Sequence, residues 1–323
     1  MDKNILEIND LSVEYVVNKT VYKAVNHLSL SIGPGESLGL VGETGAGKTT
    51  TALAMMGLIP NPPGRIVSGS IVYKGENLLE TKEKRMRRIR GEELSMIFQD
   101  PMTSLNPVIS VGDQILEVVR LHSNMSLAQA TVKAQQMLEM VGIPANRYEE
   151  YPYQFSGGMK QRVMIACALA CDPTLLIADE PTTALDVTIQ AQVLELMAGL
   201  KEKFNTAMLL ITHDLGVVAE VCDRVAIMYS GHIVEQGSVR EVFRRPMHPY
   251  TRGLFESLPR LDIDTERLNP IPGMMPDPSE LPDGCAFCTR CSLKEERCVH
   301  SRPEMVNINE EHTVACWNTG LEL

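Results

Sequence analysis

Positive charge is in short supply in this chain: 30 Lys and Arg stand against 41 Asp and Glu, a net −11 over 323 residues. Binding to a nucleic-acid backbone needs the opposite balance, because its affinity comes from neutralising phosphates. No nucleic-acid partner is therefore expected. Long hydrophobic runs are missing as well. The longest, near residues 52–59, falls far short of the ~20 residues that span a bilayer. The opening Met1-Asp2-Lys3-Asn4 carries no secretory pattern. These absences predict a cytosolic chain that reaches any membrane through a partner. The glycine motifs described below are not repeated, which limits the chain to one nucleotide-binding unit.

What is present alternates between strand-like and helical stretches, the pattern of an α/β core. Residues 5–8, 12–16 and 28–32 read as short strands of an antiparallel sheet. Residues 38–41 form a buried strand that feeds a glycine-rich loop, and 49–56 continue as helix. Further strands are expected at 71–73 and 96–98, with helical character from about 101 to 162. The apolar runs 175–178 and 208–212 are of the parallel-strand kind. Residues 225–229 and 232–235 read as a hairpin through Ser230-Gly231. The basic run 82–90 is expected to be a solvated helix face. Beyond about Arg244 prolines cluster and cysteines follow, which marks a linker and a small extension.

Gly42-Glu43-Thr44-Gly45-Ala46-Gly47-Lys48-Thr49-Thr50 is a phosphate-binding loop in its required strand–loop–helix setting. Its glycines let the backbone turn tightly and aim N–H groups inward, and the following helix adds the positive end of its dipole. Lys48 supplies charge to the β- and γ-phosphates, and the Thr49 hydroxyl can ligate Mg²⁺. Asp179, at the end of the apolar run Leu175-Leu176-Ile177-Ala178, is placed to hold Mg²⁺ directly or through water. Glu180, one residue on, can accept a proton from attacking water. Gln99 follows the 96–98 strand and can reach the metal or that water. His213 ends the 208–212 strand and is a candidate contact to the γ-phosphate. Tyr15 is a candidate to stack on adenine, with Tyr22 as its rival. A second glycine element, Phe155-Ser156-Gly157-Gly158-Met159, precedes an apolar helical stretch and reads as a separate anion-binding helix start. One element of each kind per chain suggests that two chains complete the site.

In this order the elements resemble the ATP-binding-cassette ATPases, over residues 5 to about 240. The resemblance implies a RecA-like core with an antiparallel β subdomain and a helical signature subdomain. It implies that Ser156, Gly157 and Gly158 contact ATP held by the opposite subunit. Thr183-Ala184-Leu185-Asp186 is similar to the loop that crosses this interface, which brings in Asp186. Met159 departs from the Gln of many relatives but leaves the serine and the backbone donors in place. A closer resemblance, to the peptide/nickel importer subfamily, rests on three runs. These are Gln99-Asp100-Pro101-Met102-Thr103-Ser104-Leu105-Asn106-Pro107, Gly158-Met159-Lys160-Gln161-Arg162-Val163-Met164-Ile165-Ala166, and His248-Pro249-Tyr250-Thr251. It implies a nucleotide-binding domain over 1–244, with a helical part at about 101–165, and an extension over 245–323. It further implies hydrolysis of ATP that powers import of di- or oligopeptides, with nickel or another small solute as the alternative cargo. A soluble non-transport ATPase of the same family is a third reading. The implied partners are a distinct sister ATPase, two membrane permeases and an extracytoplasmic binding protein. The implied location is the cytoplasmic face of the membrane, and the permease would dock on the helical segment after Gln99.

The cysteines fall in two groups. Cys167, Cys171 and Cys222 are scattered in apolar sequence, as buried thiols usually are. Cys285, Cys288, Cys291 and Cys298 give C-x₂-C-x₂-C-x₆-C, and Cys316 follows. Closely spaced thiolates suit soft metals. The fourth spacing is wrong for a bacterial ferredoxin run, the match to paired zinc hooks is partial, and a disulfide framework is disfavoured in the cytosol. Spacing alone leaves iron–sulfur, zinc and no metal open. The subfamily resemblance implies a [4Fe–4S] cluster on Cys285, Cys291, Cys298 and Cys316, with Zn²⁺ as the alternative and Cys288 as an extra thiol.

Overall fold

The computed structural model describes residues 4–100, 104–183, 185–257 and 270–319. The chain opens with β1 (Leu6–Val17), β2 (Thr20–Ile32), β3 (Ser37–Val41) and α1 (Lys48–Met55). β4 (Gly64–Tyr73), β5 (Glu76–Asn77), α2 (Glu83–Glu92) and β6 (Leu94–Ile97) follow. Then come α3 (Val111–His122), α4 (Leu127–Met140), α5 (Gly157–Leu169), β7 (Leu175–Asp179), α6 (Val187–Phe204) and β8 (Ala207–Thr212). The last stretch holds α7 (Leu215–Val221), β9 (Arg224–Tyr229), β10 (His232–Ser238), α8 (Val239–Arg244), α9 (Pro249–Glu256), α10 (Arg297–His300), β11 (Val306–Asn309) and β12 (His312–Val314). These elements divide between two compact units.

The first unit takes residues 1–6, 32–37 and 73–212. Its strands β6, β7 and β8 run parallel, with Ile97 beside Ala178 and Asp179 beside Ile211. All residues of β6, β7 and β8 are buried. That explains why their sequences are unbroken apolar runs rather than alternating ones. The expected helical stretch after Gln99 is present as α3, α4 and α5; Pro101, Met102 and Thr103 lie outside the described residues. Ser110 caps α3 through Asp113 N, and Ser126 with Gln129 forms a capping box on α4. The basic run is α2, as expected. Its Met86 and Ile89 are buried, while Arg87 and Arg90 pair with Glu83 in solvent.

The second unit takes residues 7–31, 38–72 and 213–323. Two expected strands, 5–8 and 12–16, are in fact one long strand, β1, because only Asn9 and Asp10 interrupt its apolar pattern and both tolerate exposure. β1 turns into β2 through Asn18-Lys19, both left-handed at φ 50° and 70°, as a two-residue hairpin turn requires. In the other sheet β3 runs parallel to β9, and β9 pairs antiparallel with β10. This is the expected hairpin, turned by Ser230 and Gly231. β10 pairs in turn with β12, so the C-terminal extension contributes strands to the same sheet. Ala286 and Phe287 of the extension share a core with Val41, Val225, Ile227, Tyr229 and Tyr250. A buried carboxylate ties these parts together. Glu235 on β10 accepts from Met247 N at 2.7 Å, His248 N at 2.8 Å and His312 Nε2 at 2.7 Å.

Candidate functional site

β3 ends at Val41 and the chain turns at once into the glycine loop. Gly42 has no room for a side chain, since a Cβ there would stand 2.2 Å from Met228 O. Gly47 has φ +104°, and its Cβ would meet Ala24 O at 2.3 Å. Both glycines are thus required by close backbone approach, and Gly47 by its left-handed conformation as well. Ala46 O accepts from Gly231 N at 2.8 Å, which anchors the loop to the β9–β10 turn. Lys48 is buried and curls back, donating to Gly42 O at 2.7 Å and Glu43 O at 3.2 Å. Thr44, Gly45 and Thr49 are exposed and Thr50 half-buried. The loop therefore presents a ring of backbone around a held ammonium group, with a hydroxyl on the first turn of α1. This is the chemistry that holds a phosphate chain.

In the other unit β7 delivers Asp179, buried, to its carboxyl end. The next residue, Glu180, is left-handed at φ 46°. A strained non-glycine residue persists only where its surroundings hold it, and here they do. Glu180 N donates to Ile211 O at 2.8 Å. Its Oε2 accepts from Gln99 Nε2 at 3.1 Å and Thr183 Oγ1 at 2.9 Å. Two candidates singled out in sequence, Gln99 and Glu180, are thus joined directly, and Thr183 is a third member that motif reasoning assigned no such role. Both of these side-chain donors fall on one oxygen, Oε2.

The second glycine element is a helix start. Ser156 caps α5, accepting from Met159 N at 3.4 Å, and Ser156 and Gly157 are exposed. Gly158 packs so closely that a Cβ would lie 2.5 Å from Ile189. Behind it, Phe155 is buried under the Arg147 guanidinium, 4.3 Å from the ring centre. Met159 sulfur accepts from Arg147 at 3.5 Å, which gives the departure from Gln a packing role. Asp186 is exposed and accepts from Ile189 N at 3.0 Å at the start of α6; Ala184 of the same motif lies outside the described residues. His213 is exposed directly after β8, and Tyr15 is half-buried against Gly64.

The five C-terminal cysteines are all free and all line one small cavity, together with His248, Phe287, Pro303 and Trp317. Burial raises the thiol pKa of Cys285, to about 12, and also those of Cys288, Cys291 and Cys316. Among the described residues no group of three or more His, Cys, Asp or Glu is gathered so as to hold a metal ion. Donors around one zinc lie within about 4.6 Å of each other, twice the Zn–S distance. Neither the expected [4Fe–4S] cluster nor its Zn²⁺ alternative therefore finds a gathered ligand set among the described residues.

The sequence matches the ABC transporter family over residues 25–183, and the C-terminal region of oligopeptide/dipeptide transporters over 234–298. It is 49% identical to a probable peptide ABC transporter ATP-binding protein, y4tR, of Sinorhizobium fredii, across 98% of this chain and 95% of that protein. It is 49% identical to the oligopeptide transport ATP-binding protein AppD of Bacillus subtilis, across 97% of this chain and 96% of that protein. The chain belongs to the peptide-transporter branch of the ATP-binding-cassette ATPases. Solved structures agree on the fold. The cassette MJ0796, in a dimeric post-hydrolysis state bound to ADP and Pi, superposes with TM-score 0.66 at 23% identity, over 73% of this chain and 99% of that one. cbiO1 from Clostridium perfringens gives 0.65 at 25% identity, over 76% and 92%.

The expected ATP-binding-cassette fold is thereby established, and with it an ATP-binding, ATP-hydrolysing chain of the kind that drives transport. Among the described residues no helix is long and apolar enough to cross a membrane. Two contacts to the phosphate loop escaped sequence reasoning. Tyr250 Oη accepts from Glu43 N at 2.9 Å, and Arg290 pairs with the Glu43 carboxylate at 3.0 Å. Each is more than 200 positions from its partner, so no local pattern signals either contact.

Proposed function

We propose that this chain is the ATP-hydrolysing subunit of a di- or oligopeptide importer, peripheral to the cytoplasmic face of the membrane. Two permeases, an extracytoplasmic peptide-binding protein and a distinct sister ATPase complete the assembly. The observation that supports the catalytic part best is Glu180, held left-handed with Gln99 and Thr183 on a single oxygen. That carboxylate takes the proton from the attacking water. The loop 42–50 binds the triphosphate through its backbone and Lys48, and Tyr15 stacks on the base. Thr49, Asp179 and Gln99 would hold Mg²⁺, which when bound neutralises phosphate charge. His213 contacts the γ-phosphate. Ser156, Gly157, Gly158 and Asp186 serve ATP held by the sister subunit, and the exposed start of α5 is suited to meet an anion from outside the chain.

Residues 1–244 form the nucleotide-binding domain, with its helical part at about 101–165, and 245–323 form the extension. The extension holds a [4Fe–4S] cluster on Cys285, Cys291, Cys298 and Cys316, with Cys288 as an additional thiol. What supports a thiolate-bound group is that all five thiols line one cavity. Such a group would tie together the stretches around 285–291, 298 and 316. Anaerobic purification should yield brown protein with about four iron per chain; colourless protein with stoichiometric zinc would reject the cluster. The transport function is tested by reconstitution with the permeases and binding protein. Peptide should stimulate ATP hydrolysis and enter the vesicles. Stimulation by Ni²⁺ with no response to peptides would transfer the assignment to the alternative cargo.

A further inference from the structure

Arg290 stands between Cys288 and Cys291, yet its side chain points away from their cavity and is only 5% exposed. Its Nη1 donates to both carboxylate oxygens of Glu43, at 3.1 and 3.0 Å, and to Tyr229 Oη at 3.4 Å. Nη2 donates to Ile271 O at 3.2 Å and Nε to Pro272 O at 3.0 Å. Each of the three guanidinium nitrogens therefore has a partner. Burial alone would lower its pKa, and the hydrogen bonds to Glu43 and Tyr229 more than reverse that, so the charge is secure. Glu43 is gripped a second time through its backbone N–H, on Tyr250 Oη. Met275, also beyond residue 244, approaches the loop at Gly45.

Glu43 is a carboxylate inside a loop whose task is to hold several negative charges. Left uncompensated, it would repel the phosphates; Lys48 bonds the backbone carbonyl of this residue, Glu43 O, among the contacts that hold the loop. We propose that Arg290 is a positioning residue of the phosphate loop. By neutralising and fixing Glu43, it makes the cysteine-bearing extension a determinant of triphosphate affinity. The inference rests on the reading that loop 42–50 holds ATP. Glu43 is about one-third exposed, so water screens part of the repulsion and the effect is one of affinity rather than of all binding.

The test is nucleotide affinity of the purified full chain by calorimetry, with ATP and ADP as the probes. Arg290→Gln should weaken ATP about tenfold and ADP less, because the penalty scales with ligand charge. Arg290→Lys should fall in between. Glu43→Gln in the Arg290→Gln background should restore ATP affinity to within about twofold of the parent, since the uncompensated charge is gone. An unchanged Kd in Arg290→Gln overturns the inference. So does an equal loss for ATP and ADP that Glu43→Gln does not rescue, the signature of a merely structural role. Should Arg290→Gln fail to fold, Glu43→Gln alone decides: it should bind ATP at least as tightly as the parent, and weaker binding refutes the charge argument. Lys48→Ala separates the two levels. If it leaves ATP affinity intact, the loop assignment itself falls; if it abolishes binding while Arg290→Gln does nothing, only Arg290 loses its role.

Discussion

Replacing Glu180 with Gln is the sharpest perturbation of the chemical step, because the structure lets it remove basicity and little else. Glu180 Oε2 accepts from Gln99 at 3.1 Å and Thr183 at 2.9 Å. A glutamine carbonyl can accept both, so the two donors keep their partner. Glutamine also tolerates φ 46° no worse than glutamate, and Glu180 N keeps its bond to Ile211 O. What disappears is the carboxylate's capacity to accept a proton. Loss of a positioned general base costs roughly 10²–10⁴ in rate, which is about 3–5 kcal/mol in the barrier. The assay is steady-state phosphate release by the assembled transporter, alongside ATP affinity of the same preparation. Turnover should fall into that range while the ATP Kd stays within about twofold. Turnover within a few-fold of the parent would remove Glu180 from the base role. A large rise in Kd would show that it acts in binding instead.

Other outcomes follow from single contacts. Gly47→Ala places a Cβ 2.3 Å from Ala24 O at φ +104°; it should weaken ATP by more than tenfold and cost about 2–4 kcal/mol of stability by denaturant titration. Glu235→Ala strips the acceptor from Met247 N, His248 N and His312 Nε2 in a fully buried setting. A loss of about 3–5 kcal/mol and a melting point lower by roughly 10 °C are expected. Burial depresses the pKa of His248 from 6.5 to about 4, so the folded chain binds fewer protons than the unfolded one. That stability is fully present above pH 6.5 and is lost as pH falls toward 4, about 2 kcal/mol of it by pH 5. His248→Asn, which keeps an acceptor for Tyr250 N, should flatten the profile between pH 6.5 and 5 by that amount; an unchanged slope would show that His248 is not the group being protonated. In the apo protein, the buried thiol of Cys285, raised to about 12, adds stability present below pH 9 and lost as pH climbs toward 12. Unfolding should therefore become easier above pH 9, measured under reducing conditions.

Local pattern determined much of this protein. The loop 42–50, the strand that feeds it, the acidic pair 179–180 and the hairpin through Ser230-Gly231 are each written in a few adjacent residues. Their physics is short-range: glycine for close backbone approach, apolar runs for buried strands, a serine before a helix for its cap. Where local signals weakened, boundaries blurred. Asn9-Asp10 suggested a break in what is one strand, and β4 is longer than its apolar end at 71–73 implied. Only tertiary structure decided the rest. It put Thr183 and Gln99 on the same oxygen of Glu180. It carried Tyr250 and Arg290 across more than 200 residues to the loop, and gathered five cysteines around one cavity. Spacing along a chain says which side chains share a turn or a face. Which distant turns meet is set by how the sheets and helices close over a common core, where Val41, Tyr229, Tyr250 and Phe287 are packed together.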